Sequence, residues 1–350
     1  MFTVIKKKIV YRLVFLLLGL SSLLIGGIHL KLLFAEQINK SVCDSANNNS
    51  SISDQRKAIR LNKYNPTYLA NLSCLYAQQD SIDITLFDSL LIGKHYVINS
   101  YLDSSLCYSL KAWSIVPNDQ LFALNSAILT AVKGNVEIAL EMLSPFISDG
   151  SAIGEVLCVG GLFEELVGTS YAASSLYSRG IIIKPAITES RFFKELSCRN
   201  KQLFEQSINK AIFELEKIFS IATDPIVAAK LGRLFLEKNE IDRAKELLEC
   251  ALNELPTLGR TWYNMGIIAE IEGDVEKAKN CYWKSYALDS SDLLPLNKLA
   301  SYDKDLIENV EALKRKKISH QAYRLKKMYG GTTFNYPYVV AGFEQYFDIY

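Results

Sequence analysis

Two stretches of the chain, 34 residues apart, set small and large side chains in the same order. Ala228, Leu231, Gly232, Phe235, Asn239, Ala244, Leu248 and Ala251 recur as Trp262, Met265, Gly266, Ala269, Gly273, Ala278, Tyr282 and Ser285, and Pro256 closes the earlier stretch. Within each stretch the apolar positions fall at helical intervals, so each reads as two amphipathic helices joined near 239 or 273. Gly and Ala at matched sites let two helix axes approach closely, while Leu248, Tyr282 and Trp262 fill the space alongside. Asn239 and Gly273 suit the left-handed turn between the helices. One such pair leaves an apolar face uncovered, so successive pairs must stack.

Weaker copies lie upstream. Leu157, Gly160, Gly161, Gly168, Ala173, Tyr177, Gly180 and Pro185 fit a unit starting at 154, and Ala127, Gly134, Ala139 and Leu143 fit one starting at 120. Residues 188–224 read as a degenerate pair of slightly long period; Leu72, Ser73, Tyr76, Ala112 and Pro117 mark earlier fragments. The pattern resembles the tetratricopeptide repeat (TPR), a helix pair with W-x2-L-G-x2-Y in its first helix and A-x3-F-x2-A and a late Pro in its second. The resemblance implies an all-α fold, a right-handed α-α superhelix with a concave inner face, and binding rather than catalysis. About six helix pairs are expected over 55–300, clearest at 225–258 and 259–292.

The first residues have a different character. Residues 1–12 carry Lys6, Lys7, Lys8 and Arg12, and Leu13 to Leu30 is an apolar run whose only ionisable group is His29. Extended through Phe34, the segment 13–34 is about as long as the ~20 residues that cross the hydrocarbon core. It reads as a single transmembrane signal anchor; a cleavable signal peptide is the alternative, although Leu33 and Phe34 before Ala35 make a poor cleavage site. The excess of Lys and Arg ahead of the run keeps the N-terminus cytoplasmic and puts the remainder across the membrane, in the periplasm for a bacterial inner-membrane protein. Residues 35–54 read as a flexible polar linker, 301–328 as a capping and basic helix, and 329–350 as an aromatic tail.

Composition narrows the function. With 39 basic and 38 acidic residues, a formal charge of +1, there is no global field to recruit nucleic acid. The seven cysteines are odd in number and have no regular pairing, so they spell neither a disulfide framework nor a zinc site, and most are expected as small buried helix residues. Three histidines, none spaced for a metal, and the lack of phosphate-loop, nucleophile-elbow, zincin or dinucleotide signatures point away from an enzyme and from any cofactor.

Binding residues are expected on the inner face. Lys230, Asn264 and Lys298 recur at intervals of 34, which stacks them on successive first helices, with Arg233 and Arg260 one turn away. TPR domains that hold C-terminal carboxylates use such residues, so the resemblance implies that Lys230, Arg233, Arg260, Asn264 and Lys298 grip an acidic peptide end or an acidic sugar. A merely hydrated polar groove is the other reading. A second cluster, Lys314, Arg315, Lys316, Lys317, Arg324, Lys326 and Lys327, is either a surface for anionic lipid or polyanion, or a solvated helix face. Without RNA- or DNA-binding motifs, nucleic acid is not an expected partner. The sequence thus points to a non-catalytic, membrane-anchored scaffold that binds a protein partner in a bacterial envelope complex. The alternative is an accessory factor of polysaccharide polymerisation or export, which would require rings lining the groove.

Overall fold

The structure is a computed structural model that describes residues 28, 30–38, 48–78, 100–290 and 292–303. Among these there is helix and no strand. α1 (Asn48–Leu61) leads into α2 (Pro66–Gln78), which pairs with α3 (Ser100–Ile115). Then come the pairs α4 (Gln120–Val132) with α5 (Val136–Ser148), and α6 (Gly154–Val167) with α7 (Ser170–Ile183). A 3-10 turn (Pro185–Glu189) interrupts before the short α8 (Arg191–Arg199) and the long α9 (Lys201–Ile221). The last pairs are α10 (Pro225–Glu237) with α11 (Ile241–Glu254) and α12 (Gly259–Ile271) with α13 (Val275–Leu288), and α14 (Leu294–Tyr302) covers the final face. The principal contacts join helices one or two places apart in chain order, as stacking of successive pairs requires.

Side-chain caps fix six of the starts. Asp119, Thr169, Ser190, Asn200, Asp224 and Asp274 each accept hydrogen bonds from backbone N–H groups of the first turn of α4, α7, α8, α9, α10 and α13. The turns within the last two pairs use a left-handed residue at matched sites, Asn239 at φ 60° and Gly273 at φ 81°. At Gly168, where the weaker unit places its turn glycine, the backbone instead has φ −109°.

Close approach inside a pair is visible at three glycines. A Cβ on Gly161 would stand 2.5 Å from the Tyr177 ring, on Gly232 2.6 Å from Leu248 Cγ, and on Gly266 2.4 Å from Tyr282 Cε1. Each partner is itself wholly buried. Buried serines serve other tight contacts: Ser73 on α2 with Ser105 on α3, and Ser109 with Ser126 at 2.8 Å between α3 and α4. Trp262 is half-buried and spans the gap between pairs, donating from Nε1 to Pro256 O at 2.8 Å; Trp113 does the same to Pro117 O at 2.9 Å.

Three features differ from what the sequence suggests. Helix occupies both ends of the 35–54 linker: residues 30–38 are helical, and α1 begins at Asn48. Packing explains this, since Ala35 and Ile38 lie against Ala58 and Tyr68, and Gln55 Nε2 donates to Tyr68 O at 2.9 Å. The cysteines are not mainly buried: Cys107, Cys198 and Cys250 are exposed and only Cys158 and Cys281 are buried among those described. An amphipathic helix has an outer face, and a small residue fits there equally well. Finally, no helix among the described residues is long and apolar enough to cross a membrane, and most of the 13–34 anchor lies outside them. The basic cluster at 314–327 and the tail at 329–350 also lie outside the described residues.

Candidate binding cavity

The first helices α10 and α12 lie in neighbouring pairs, and between them opens a cavity of about 480 Å³. One wall is the end of α7 and the start of the 3-10 turn, Ile183 to Ala186; another is the 257–259 loop; the end of α13, with Ser285 and Leu288, closes the far side. The 3-10 turn gives the first wall its shape: it packs on α10, where a regular repeat would have no such turn.

Four of the five residues expected on the inner face, Lys230, Arg233, Arg260 and Asn264, line this one cavity. Lys298 does not. Its Nζ lies 2.6 Å from Glu270 Oε2, and Glu270 also receives the Tyr302 hydroxyl, so Lys298 fastens the capping helix α14 to α12. Burial of Glu270 works to raise its carboxyl pKa, but the hydrogen bonds from Lys298 and Tyr302 outweigh it and hold the group below the usual glutamate value.

The cavity cations already have partners within the chain. Arg233 is only 7 % exposed; its Nε lies 2.9 Å from Glu189 Oε1, and it donates through Nη2 to Glu237 Oε2 at 2.8 Å. Arg260 donates to Asp292 Oδ2 at 2.6 Å, reaches Glu189 Oε2 at 3.6 Å, and lies 4.9 Å over the Tyr263 ring. Burial pushes the Tyr263 hydroxyl pKa up, so that ring stays neutral beneath the guanidinium. Lys230 donates to the Ile182 carbonyl at 2.9 Å, and burial lowers its pKa despite the charge of Asp224. Glu189 therefore bridges cations from two successive first helices, fixing their spacing in the role the sequence assigned to a ligand carboxylate. Glu237 was legible as the i+4 partner of Arg233. Glu189 was not, because it sits in a turn with no repeat counterpart.

Three polar atoms of the cavity residues make no hydrogen bond to the described residues; one, Arg233 Nε, is held in the ion pair with Glu189, and two are left over. Asn264 is 3 % exposed, and its Oδ1 accepts no hydrogen bond from the described residues; Arg260 Nε likewise donates none. An unsatisfied buried polar atom costs about 1–3 kcal/mol, so a ligand that supplies both a donor and an acceptor here removes a standing penalty. The remaining lining is largely aliphatic, with Ile183, Pro185, Ile226, Ala229, Leu258 and Leu288, and no aromatic ring among the described residues lines the cavity. It can seat an uncharged or zwitterionic segment with an amide edge and small apolar side chains. Among the described residues no group of three or more His, Cys, Asp or Glu is placed to hold a metal ion.

No family model matches the chain. Nor does any curated protein match it in sequence. Among solved structures it is similar to YrrB, described as a TPR protein with an unusual peptide-binding site, at 14 % identity over 70 % of this chain and 96 % of YrrB, with a TM-score of 0.29. It is similar to a tetratricopeptide repeat protein from Parabacteroides merdae at 15 % identity over 79 % of this chain and 98 % of that one, with a TM-score of 0.36. It is also similar to MamA at 16 % identity over 60 % and 97 % of the two chains, with a TM-score of 0.24. These likenesses are of helical-repeat architecture and say nothing about a ligand. The architecture rests on the recurrence within the chain itself, in which Gly232 meets Leu248 as Gly266 meets Tyr282, and Asn239 turns as Gly273 does.

Proposed function

We propose that this chain is a non-catalytic, membrane-anchored scaffold of TPR-like helix pairs that binds a protein partner in a bacterial envelope complex. The partner enters as an extended peptide segment in the cavity between α10 and α12. The observation that carries this reading is Asn264, buried at the cavity with its Oδ1 unsatisfied, on the first helix of a repeat. A peptide bond offers the N–H that Asn264 needs and the C=O that Arg260 Nε–H can meet once these side chains turn toward the cavity, since both atoms are closed to solvent in the unliganded chain. Because Glu189, Glu237 and Asp292 already neutralise the guanidiniums, a main-chain amide with a small apolar side chain fits better than an acidic terminus. The polysaccharide reading requires rings for stacking, and the cavity lining offers none.

Panning a random peptide library against the full chain in detergent tests the binding role. Enriched peptides should bind the wild type, lose at least about tenfold in affinity with Asn264→Ala, and be indifferent to Lys298→Ala. Peptides that bind the Asn264→Ala chain equally well refute the cavity as their site. The anchor over 13–34 is tested separately: a membrane-impermeant maleimide applied to intact cells should label the exposed Cys107, Cys198 and Cys250 if the repeats are periplasmic. Labelling only after lysis reverses the topology.

A further inference from the structure

The solenoid's entry end combines an exposed apolar turn with a cluster of cations. In the helical segment 30–38, Leu30, Leu33 and Phe34 are exposed, Leu33 at 63 % and Phe34 at 53 %. One residue later the environment reverses. Ala35 is wholly buried, and with Ile38 it packs on Ala58, Ile59, Leu61 and Tyr68 at the end of α1 and the start of α2. At about 1.5 Å rise per helical residue, Leu33 and Ile38 are separated by about 7.5 Å along the axis. The exposed apolar turn at 30–34 therefore meets the first helices with little slack.

The element it packs against is basic. Lys31, Arg56, Lys57, Arg60 and Lys63 are all exposed, against Asp54, which pairs with Lys57 at 2.6 Å, and the half-buried Glu36. Among the described residues no carboxylate pairs with Arg60 or Lys63. Beside them, in the turn between α1 and α2, Tyr64 is 69 % exposed with the Lys63 ammonium 4.8 Å above its ring. Tyr with a neighbouring cation, one end apolar and the other wet, is the side-chain chemistry that settles at headgroup depth.

We propose that the turn Asn62–Asn65 and the end of α1 rest on the headgroups of an anionic phospholipid bilayer, so that the first helix pair lies on the membrane instead of swinging from it. The inference builds on the anchor reading above and adds a second contact, electrostatic and interfacial. Each cation near an anionic surface strengthens the attraction about fivefold.

The test uses the full chain reconstituted in vesicles of phosphatidylcholine with or without phosphatidylglycerol, each doped with headgroup-nitroxide lipid. The probe is Tyr64→Trp, read as the difference from a parent holding Trp113, Trp262 and Trp283. The added tryptophan should be quenched in anionic vesicles. That quenching should fall when salt is raised, and should be lost with Arg60→Glu combined with Lys63→Glu. A chain that co-floats with vesicles and resists alkaline extraction, yet shows equal and weak quenching in both lipids at every salt, overturns this inference and leaves the anchor standing. A chain that does not co-float overturns the anchor and the inference together. The salt series needs no charge variant, so misfolding of the double variant leaves the test intact, and its circular-dichroism spectrum reports such misfolding directly.

Discussion

Gly266→Ala probes the contact on which the stacking depends. A Cβ there would lie 2.4, 2.7 and 2.9 Å from Tyr282 Cε1, Cδ1 and Cζ. Carbon atoms rest at about 3.5–4.0 Å, so the ring would have to retreat by roughly 1 Å. It has nowhere to go, because Tyr282 is wholly buried and its ring centre is 5.6 Å from that of Tyr263. Overpacking of this kind costs about 1–3 kcal/mol, against roughly 1 kcal/mol gained by replacing glycine within a helix. The expected outcome is a net loss of up to about 2 kcal/mol in urea unfolding followed by circular dichroism, with faster amide exchange across 262–288. Gly154→Ala is the matched control: its Cβ would meet nothing nearer than 3.7 Å, so it should be neutral or stabilising. In a Tyr282→Leu background the penalty of Gly266→Ala should largely vanish, a coupling of about 1 kcal/mol or more. If Gly266→Ala stabilises the chain as Gly154→Ala does, the close approach of α12 and α13 is not there and the reasoning fails.

Three further outcomes follow from the same geometry. Arg233→Gln leaves Glu189 and Glu237 facing each other across the cavity wall and should destabilise by about 3 kcal/mol, whereas Lys245→Gln, at an exposed pair with Glu272, should cost less than about 1 kcal/mol in the same urea assay. Glu270 has a lowered pKa when folded, so its contribution is present above the usual glutamate range and lost as pH falls through that range and below it; amide exchange in α14 should accelerate there, and Glu270→Gln should remove that pH dependence. Timed thiol alkylation should modify the exposed Cys107, Cys198 and Cys250 well before Cys158, whose burial pushes its thiol pKa far up; early loss of Cys158 would mean that α6 is not packed as described.

The last two helix pairs were readable because their contacts are made by residues one repeat apart, so that Gly232 and Gly266 or Asn239 and Gly273 announce one another. The same periodicity brought Lys230, Arg233, Arg260 and Asn264 to one cavity. It did not bring Lys298 there, because that side chain is spent on fastening α14 to Glu270 of α12. It missed Glu189 because a 3-10 turn carries no period, and with it the fact that the cations are internally neutralised. α1 was hidden for a different reason. Its start, Asn48 to Ser51, has little intrinsic helix preference, and the helix is stabilised by burying Gln55 and Ala58 against α2, a tertiary effect that a local reading does not contain.

The central claim is that a protein segment is held on the inner face between α10 and α12. Its most direct test is site-specific photocrosslinking in cells, with benzoylphenylalanine at Ala229 in the cavity wall or at Glu249 on the exposed side of α11. The account predicts a protein adduct from position 229 that an enriched peptide competes away, and none from position 249. Adducts from position 249 alone, or a 229 adduct indifferent to the peptide, would contradict it.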